Sequence, residues 1–456
     1  MVEQSTGRGT VFASARLDRL PICGFHWRVL FLIGAGLFLD SFEIYLGGSV
    51  AGALLNLGWS TLELNATFVT MTFAGLVVGA WGAGVLADRF GRRFSYQLNL
   101  AIFGLASLAA VFAPNMTVLI ALRFVMGIGL GAEIVVGYAT LTEFVPPAQR
   151  GRMVAMLSFI SNSAVFVASL VSRWVIPTFG WRYMFLIVGV AAIGVWFLRK
   201  TMPESPRWLD SKGRSTEAEA ILASVEAEAA AAHGALPPYA QATPRPPRQV
   251  PLRVVFGPSY LGRTLIGALI FITIGISVYG FVAWLPSFFV KQGFSIASSL
   301  TWSTVMTLGG PAGGLIGMLL ADRVGRKTAV AGSSAMAALF GLIYQFASSD
   351  GMLLLIGFLI VASLYTMIVV AQAIYVPELF PTEFRMRGTG VCSTAGRLTS
   401  AFIQTGIVAL FTWGGVNAVI GVVAAVLLFQ AVVIALFGVE TKQRTLEEIS
   451  TVPASS

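Results

Sequence analysis

The feature that most limits what this chain can fold into is a series of long apolar runs. They lie at about 29–55, 64–86, 94–113, 117–142, 153–177 and 181–198, and again at about 264–290, 298–320, 328–347, 351–377, 388–412 and 416–438. A helix crosses the core of a bilayer in roughly 20 apolar residues, so each run has spanning length. Inside a bilayer no water satisfies exposed backbone groups, and only helices or closed barrels can cross. Runs this long exclude the barrel. The expectation is an all-α membrane protein with twelve transmembrane helices in two parallel six-helix bundles. Composition agrees: 56% of the 456 residues are hydrophobic and 11% are charged, against about 25% charged in soluble domains.

The expected organisation is a cytoplasmic N-terminal segment (1–28), a first bundle (29–199), a cytoplasmic loop (200–262), a second bundle (263–438) and a cytoplasmic tail (439–456). Within the loop, Ser215 to Ala232 is rich in Ala and Glu and reads as a surface helix with Ser215 as its N-cap. Leu236 to Pro251 holds six prolines and reads as an extended linker. The loop is therefore expected to be a tether between bundles. The face that carries both termini collects all 30 Lys and Arg residues except Arg182 and Lys291, on the opposite face, and Arg123, Arg173 and Arg397, inside spans. Cytoplasmic loops carry such an excess, which makes this a multi-pass protein of the plasma (inner) membrane with both termini cytoplasmic. Net charge is +9, but the basic residues are split among short loops, so nucleic acid is not an expected partner. Cys23 and Cys392 stand far apart and exclude a disulfide framework. The first apolar run is too long for the core of a cleavable signal peptide, and no small-residue cleavage site follows it.

The two sets of six carry the same motifs. Leu86 to Arg93 reads LADRFGRR after the second run, and Leu320 to Lys327 reads LADRVGRK after the eighth. Glu143 and Arg150, after the fourth run, match Glu378 and Arg385, after the tenth, in an E-x-x-P-x-x-x-R pattern at nearly the same offset. Two independent motifs repeating together mark a tandem duplication of a six-span unit, both copies facing the same way.

The first run carries two carboxylates, Asp40 and Glu43, at its centre. Three residues apart on a helix, they share a face. An ionised side chain there costs about 2.5–3.5 kcal/mol on the insertion scale, so the pair calls for a partner or a task. Arg123 lies in the outer third of the fourth run. Desolvation favours the neutral form of a buried carboxyl and a nearby Arg favours the ionised form. A changing Arg distance therefore changes proton affinity, which is what proton coupling needs.

These residues resemble the major facilitator superfamily over nearly the whole chain. LADRFGRR resembles the superfamily's signature between spans two and three. Arg123 to Arg152, with Gly127, Gly129, Gly131, Glu143 and the Arg150-Gly151 pair, resembles the span-four signature of sugar porters and organic-acid symporters. PESPRWL (203–209) matches the sugar-porter signature after span six, and ETKQRTLEEI (440–449) resembles their tail, with Val439 where they carry Pro. Asp40-Ser-Phe-Glu43 is similar to the Asp-x-x-Asp of aromatic-acid and metabolite proton symporters. Arg397 resembles an Arg of organic-anion and niacin-type relatives. The resemblance implies a substrate site near the midplane between two halves that rock. It also implies that a first-span acid, Asp40 or Glu43, faces Arg123 and that the two couple protons. A cytoplasmic gate is implied for Asp88, Arg89, Arg92, Arg93, Glu143, Arg150, Asp322, Arg323, Arg326, Glu378 and Arg385, with Glu204 in the same cluster. Arg89, Arg92 and Arg93 would bridge to the other half when that face is closed.

For substrate, Arg397 is expected at the centre of its span, with Ser393, Thr394, Ser400 and Gln404 on one helical face. Glu133 pairs with Arg397 or binds substrate. Arg173, Ser158 and Asn162 come from span five, Tyr279 and Trp284 from span seven, and Tyr365, Gln372 and Tyr375 from span ten. Arg in a low-dielectric cavity takes a carboxylate through two parallel bonds, and aromatic walls suit a flat body. Proton-coupled uptake of a small organic anion, aromatic or otherwise, is therefore the leading function. A sugar or polyol symporter is the alternative that PESPRWL supports, although Phe271 to Trp284 lacks the sugar porters' paired glutamines. Efflux is a third reading, weakened because the exporters' span-five Gly-Pro motif is missing and Gly309 to Gly314 sits on span eight. A non-transporting sensor would want a larger soluble domain. Enzyme activity has no Ser/His/Asp set or metal cluster behind it, and His26 and His233 are expected outside the spans. No cofactor beyond the proton gradient is implied, and a monomer is expected.

Overall fold

The computed structural model describes residues 12–239, 251–381 and 384–441. The first eleven residues, most of the Pro-rich 236–251 segment, the tail beyond Thr441 and the side chain of Asp322 lie outside the described set. The first six spans are Gly24–Asn56, Leu62–Phe90, Arg92–Val111, Met116–Phe144, Pro147–Phe179 and Arg182–Arg199. Span seven is Pro258–Gly280 continued by Leu285–Lys291, and span eight is Ile296–Thr307 continued by Gly309–Val324. Spans nine and ten start at Arg326 and Asp350. The last helix, Arg385–Phe437, is interrupted by non-helical backbone at Gly414 and Gly415. At about 1.5 Å per residue its 53 residues would run more than twice the thickness of a bilayer core. The break, with Gly415 at φ 65°, turns it into spans eleven and twelve. The first span begins five residues before its apolar run, so His26 is not outside it; it is buried, with Nδ1 3.3 Å from Cys23 Sγ.

The duplication is written into the helix ends. At the face opposite the termini, spans two, four, eight and ten begin with an N-cap side chain. Thr61 accepts from Leu64 N (3.3 Å), Asn115 from Val118 N (3.0 Å), Ser295 from Ser298 N (3.1 Å) and Ser349 from Met352 N (3.3 Å). At the basic face, spans three and nine begin after Gly91 (φ 97°) and Gly325 (φ 95°). Glu204 Oε1 accepts from Arg92 N and Glu440 Oε1 accepts from Arg326 N, both at 2.9 Å. A carboxylate at a helix N-terminus satisfies free N–H groups and complements the dipole.

Spans two and four meet through glycines. A Cβ on Gly75 would lie 2.9 Å from Gly127 Cα, and one on Gly131 would collide with the Leu76 carbonyl. Small residues four apart allow such contact in a membrane. The two halves meet in the same way toward the far face. A Cβ on Gly48 would strike the Ala283 carbonyl, and one on Gly52 would lie 2.9 Å from Pro286 Cβ. Both partners sit where span seven breaks, so the break brings its backbone against span one. Hydrogen bonds that join the halves lie at the middle or far part of the spans: Thr70 Oγ1 donates to Ala401 O (2.9 Å), Ser169 and Thr304 share one (3.2 Å), and Tyr365 donates to Tyr45 (2.7 Å).

The loop after span six is not a free tether up to His233. Ser215–His233 is a helix that buries Leu222, Val225 and Ala229 against Leu17, Leu20, Cys23 and Phe25. Ion pairs rim the contact: Arg16 with Glu219 (2.5 Å) and Glu226 (2.7 Å), Arg19 with Glu226 (2.7 Å), and Arg28 with Glu228 (2.6 Å). The helix belongs to the first half.

Two outcomes follow. Gly127→Val should cost about 1–3 kcal/mol by overpacking, read as a lower melting temperature in detergent. Gly82→Val, with nothing within 4 Å of its Cβ position, should change it little; equal losses at both sites would refute the packing account. Burial alone would push the Glu226 carboxyl up, but hydrogen bonds from Arg16 and Arg19 outweigh it and hold the group below the usual range. Its contribution to docking is therefore present above the ordinary Glu value and lost as pH falls through the lowered one. Protection from hydrogen exchange over Ser215–His233, taken relative to the intrinsic rate at each pH, should fall as pH drops from about 6 to about 3, and Glu226→Gln should remove part of that dependence.

Candidate functional site

Glu43 is the first-span acid that meets Arg123. Its Oε1 lies 2.5 Å from Arg123 Nη1, with side-chain exposures of 0% and 2%. Arg123 Nε donates to Thr72 Oγ1 (3.0 Å), and its guanidinium lies 4.6 Å from the centre of the Phe68 ring. A Cβ on Gly47 would come within 2.5 Å of Arg123 Nη2, so glycine one turn beyond Glu43 makes room for the guanidinium. The close contact of spans two and four is what brings Thr72 and Phe68 to it. Glu43 Oε2 is buried and has no hydrogen-bond partner among the described residues.

Asp40 turns elsewhere. It is 1% exposed, and its Oδ2 has no partner among the described residues. The charges that act on it are those of Glu133, Arg199 and Glu43. Glu133 does not pair with Arg397; its Oε1 is held by Arg199 Nη1, and both side chains are 1% exposed. Arg199 reaches back from the end of span six. Its Nε donates to Leu32 O (2.9 Å), its Nη2 to Ile33 O (3.0 Å), and it stacks 4.6 Å from the Tyr96 ring centre. Gly36 makes this possible, because a Cβ there would collide with the guanidinium and lie 2.6 Å from Glu133 Oε1. Arg199 was missed by sequence reasoning, which placed it at the end of the first bundle and counted it among the basic residues of the face that carries the termini. The only signal was its position directly at the end of an apolar run.

Between the halves lies an aromatic group. The Tyr45 and Tyr279 rings are stacked with centroids 6.3 Å apart, Phe73 meets Tyr279 edge-on at 4.6 Å, and Tyr365 donates to Tyr45. Arg397 is half-buried, and the Tyr279 hydroxyl is its electrostatic neighbour. No carboxylate pairs with it among the described residues. Around Gly310, a Cβ would approach Asn162 O at 3.8 Å and Tyr365 Cδ1 at 3.9 Å, which puts Asn162 beside the same aromatic group. Asn162 Nδ2 is tied back to Ser158 O (2.8 Å). Gln372 lies half-buried in a single π-turn, Ala371–Tyr375. Such turns recur at functional sites. Other expected ligands are already engaged. Trp284 Nε1 donates to Gln404 Oε1 (2.7 Å), and Gln404 Nε2 donates to Ser400 O (2.7 Å). Ser393, Thr394 and Ser400 donate to carbonyls of their own helix. Arg173 is exposed, 5.9 Å over the Trp174 ring, so it stands outside a buried site.

The basic-face residues form one cluster in each half. Arg92 pairs with Glu143 (2.7 Å) and Asp88 (3.0 Å), and Arg326 with Glu378 (3.4 Å). Arg93 donates to Lys200 O (2.8 Å), Arg150 lies 3.7 Å from Asp18, and Arg385 donates to Phe380 O (3.4 Å). Arg89 lies 5.2 Å over the Phe90 ring, and Arg323 is exposed. Arg92 and Arg93 make their bonds within their own half, and no bridge from either to the other half is present among the described residues. Arg150 lies in the positive field of Arg207 and, from the second half, Arg385.

A family model described as "Sugar (and other) transporter" matches residues 39–452. The chain is 37% identical to the inner membrane metabolite transport protein YdjE of Escherichia coli (strain K12), over 96% of this chain and 98% of that one. It is 33% identical to the niacin transporter NiaP of Acinetobacter baylyi, over 95% and 99%. It is 24% identical to the 4-hydroxybenzoate transporter PcaK of the same organism, over 88% of each chain. Among solved structures, the proton:xylose symporter XylE bound to 6-bromo-6-deoxy-D-glucose superposes with a TM-score of 0.71 at 20% identity, over 93% of this chain and 98% of that one. A partially occluded inward-open form of XylE from E. coli gives 0.72 at 18% identity, over 92% and 99%.

Removing one member of a buried ion pair strands the other, at about 3–5 kcal/mol, whereas replacing both by apolar groups is often neutral. Glu43→Leu should therefore lower the melting temperature sharply, and Glu43→Leu with Arg123→Leu should recover most of the loss. A double variant as unstable as the single one would show that the pair does more than neutralise itself.

Proposed function

The chain belongs to the sugar (and other) transporter family, multi-pass membrane transporters that are not enzymes, and from that premise we propose proton-coupled uptake of a small organic anion by alternating access. Arg397 carries this reading. It is a half-buried guanidinium between the halves with no carboxylate partner among the described residues, beside the stacked Tyr45 and Tyr279 rings. Glu133, the acid that could have neutralised it, is taken by Arg199. A buried cation kept without a counter-ion awaits an anion, and a planar guanidinium binds a carboxylate through two parallel bonds. The flat aromatic wall suits an aromatic or similarly planar acid. Relatives named for niacin and 4-hydroxybenzoate transport support the same chemistry. The family description and the fold shared with a xylose symporter favour a sugar as the second reading.

Asp40, Glu43 and Arg123 are the proton-handling residues of this proposal. With the basic face cytoplasmic, the contacts of Gly48 and Gly52 and the Tyr45–Tyr365 bond close the outer side. The halves then part toward the cytoplasm, and each basic-face cluster holds its own half rigid. Substrate binds between Arg397, Tyr279, Asn162 and Gln372. On this reading the protein lies in the inner membrane, acts as a monomer and uses the proton gradient in place of a cofactor.

The test is uptake into proteoliposomes with an imposed pH gradient, across a panel of aromatic and aliphatic carboxylates and sugars. Accumulation of a carboxylate is expected. Arg397→Gln should lower it at least about tenfold, since truncating one side of a buried charge pair costs about 2–5 kcal/mol. Uptake of a sugar alone, or full carboxylate uptake by Arg397→Gln, would overturn the proposal.

A further inference from the structure

Within its spans the first half buries three carboxyls and two guanidiniums. Asp40, Glu43 and Glu133 are each at most 1% exposed, and Arg123 and Arg199 are the guanidiniums buried with them, each 1% exposed. Each guanidinium has chosen one acid: Arg123 holds Glu43, and Arg199 holds Glu133. Asp40 is left over, with Oδ2 unpartnered, in the field of Glu133, Glu43 and Arg199. Among the described residues, Arg199 is the one cation that acts on it. Span three supplies the Tyr96 ring, whose hydroxyl donates to Val136 O (3.0 Å). Span five supplies Ser161, hydrogen-bonded to the neighbouring Ser41 (2.6 Å). An ionised carboxylate without a partner in a dry interior costs several kcal/mol and neutralises instead.

We propose that Asp40 and Glu133 form a second proton site, holding one proton between them, with Arg199 as the positioning residue that decides which acid is ionised. This rests on the proton-coupled reading and deepens it: the Glu43–Arg123 pair is already neutral as a unit, whereas the Asp40–Glu133–Arg199 group is neutral only with a proton bound. The unpartnered Glu133 Oε2 is the second place for that proton. When Arg199 holds Glu133, the proton rests on Asp40. When Arg199 swings to Asp40, the proton passes to Glu133, and the net charge of the group is unchanged. Arg199 grips the first span through the Leu32 and Ile33 carbonyls, so movement of that helix against span six is what would change its choice. Release of the proton from the group leaves it with one negative charge in excess, a state that only opening to water stabilises.

The test needs no substrate, so its failure is separable from failure of the uptake assay. Infrared spectra of the purified protein at neutral pH should show the C=O stretch of a protonated carboxyl. The band should survive Glu43→Gln and Arg199→Lys and vanish in Asp40→Asn. Glu133→Gln frees Arg199 for Asp40, so the midpoint at which the band titrates should fall by at least about one pH unit, a tenfold change in proton affinity. A structural role alone would lower the melting temperature without moving that midpoint. If Asp40→Asn does not fold, the Glu133→Gln titration decides. A band that persists in Asp40→Asn, its absence from the unmodified protein, or an unmoved midpoint in Glu133→Gln would overturn the proposal.

Discussion

Charge that cannot reach water governs this molecule. Two guanidiniums and three carboxyls sit where hydration is unavailable, and the surrounding sequence is arranged to fit them. Gly36 and Gly47 are bare because a methyl at either would collide with Arg199 or crowd Arg123. Gly75 and Gly127 are bare because spans two and four must close far enough for Thr72 and Phe68 to reach Arg123. Remove the charges and these close approaches lose their purpose; fill the glycines and the charges lose their partners.

Each half is tied to itself at one end and to its counterpart at the other. At the basic face, Glu143 with Arg92 and Glu378 with Arg326 repeat one arrangement in each half. The caps from Glu204 and Glu440 repeat as well. Toward the far face, backbone meets backbone between Gly48 and Ala283. Strong ties within and small-residue contacts between are what a pair of rigid bodies needs if it is to rock.

The spans and the duplication were legible because the bilayer imposes a length on every crossing and loop motifs leave a literal copy. Arg123 needing an acid was legible too, since a cation inside an apolar run has few options. The choice between Asp40 and Glu43 was not: both share a helix face, and only the position of span four separates them. Arg199 was hidden because a basic residue closing an apolar run usually points to water; here three acceptors, two of them backbone carbonyls, draw it inward. The docking of Ser215–His233 was equally invisible, since its apolar residues are few and their partners lie some 200 residues earlier in the chain.

The docked helix is not the last hold of the first half on the connection to the second: the Pro237 carbonyl accepts from Arg19, and the Tyr239 ring lies under the same guanidinium. The second half takes hold again at the short helix Leu252–Phe256, where Val255 is buried and its carbonyl accepts from Thr264 Oγ1. The residues between those anchors can reach at most about 45 Å. That reach is a ceiling on how far a rocking motion can carry the two anchors apart, and shortening the stretch would lower it.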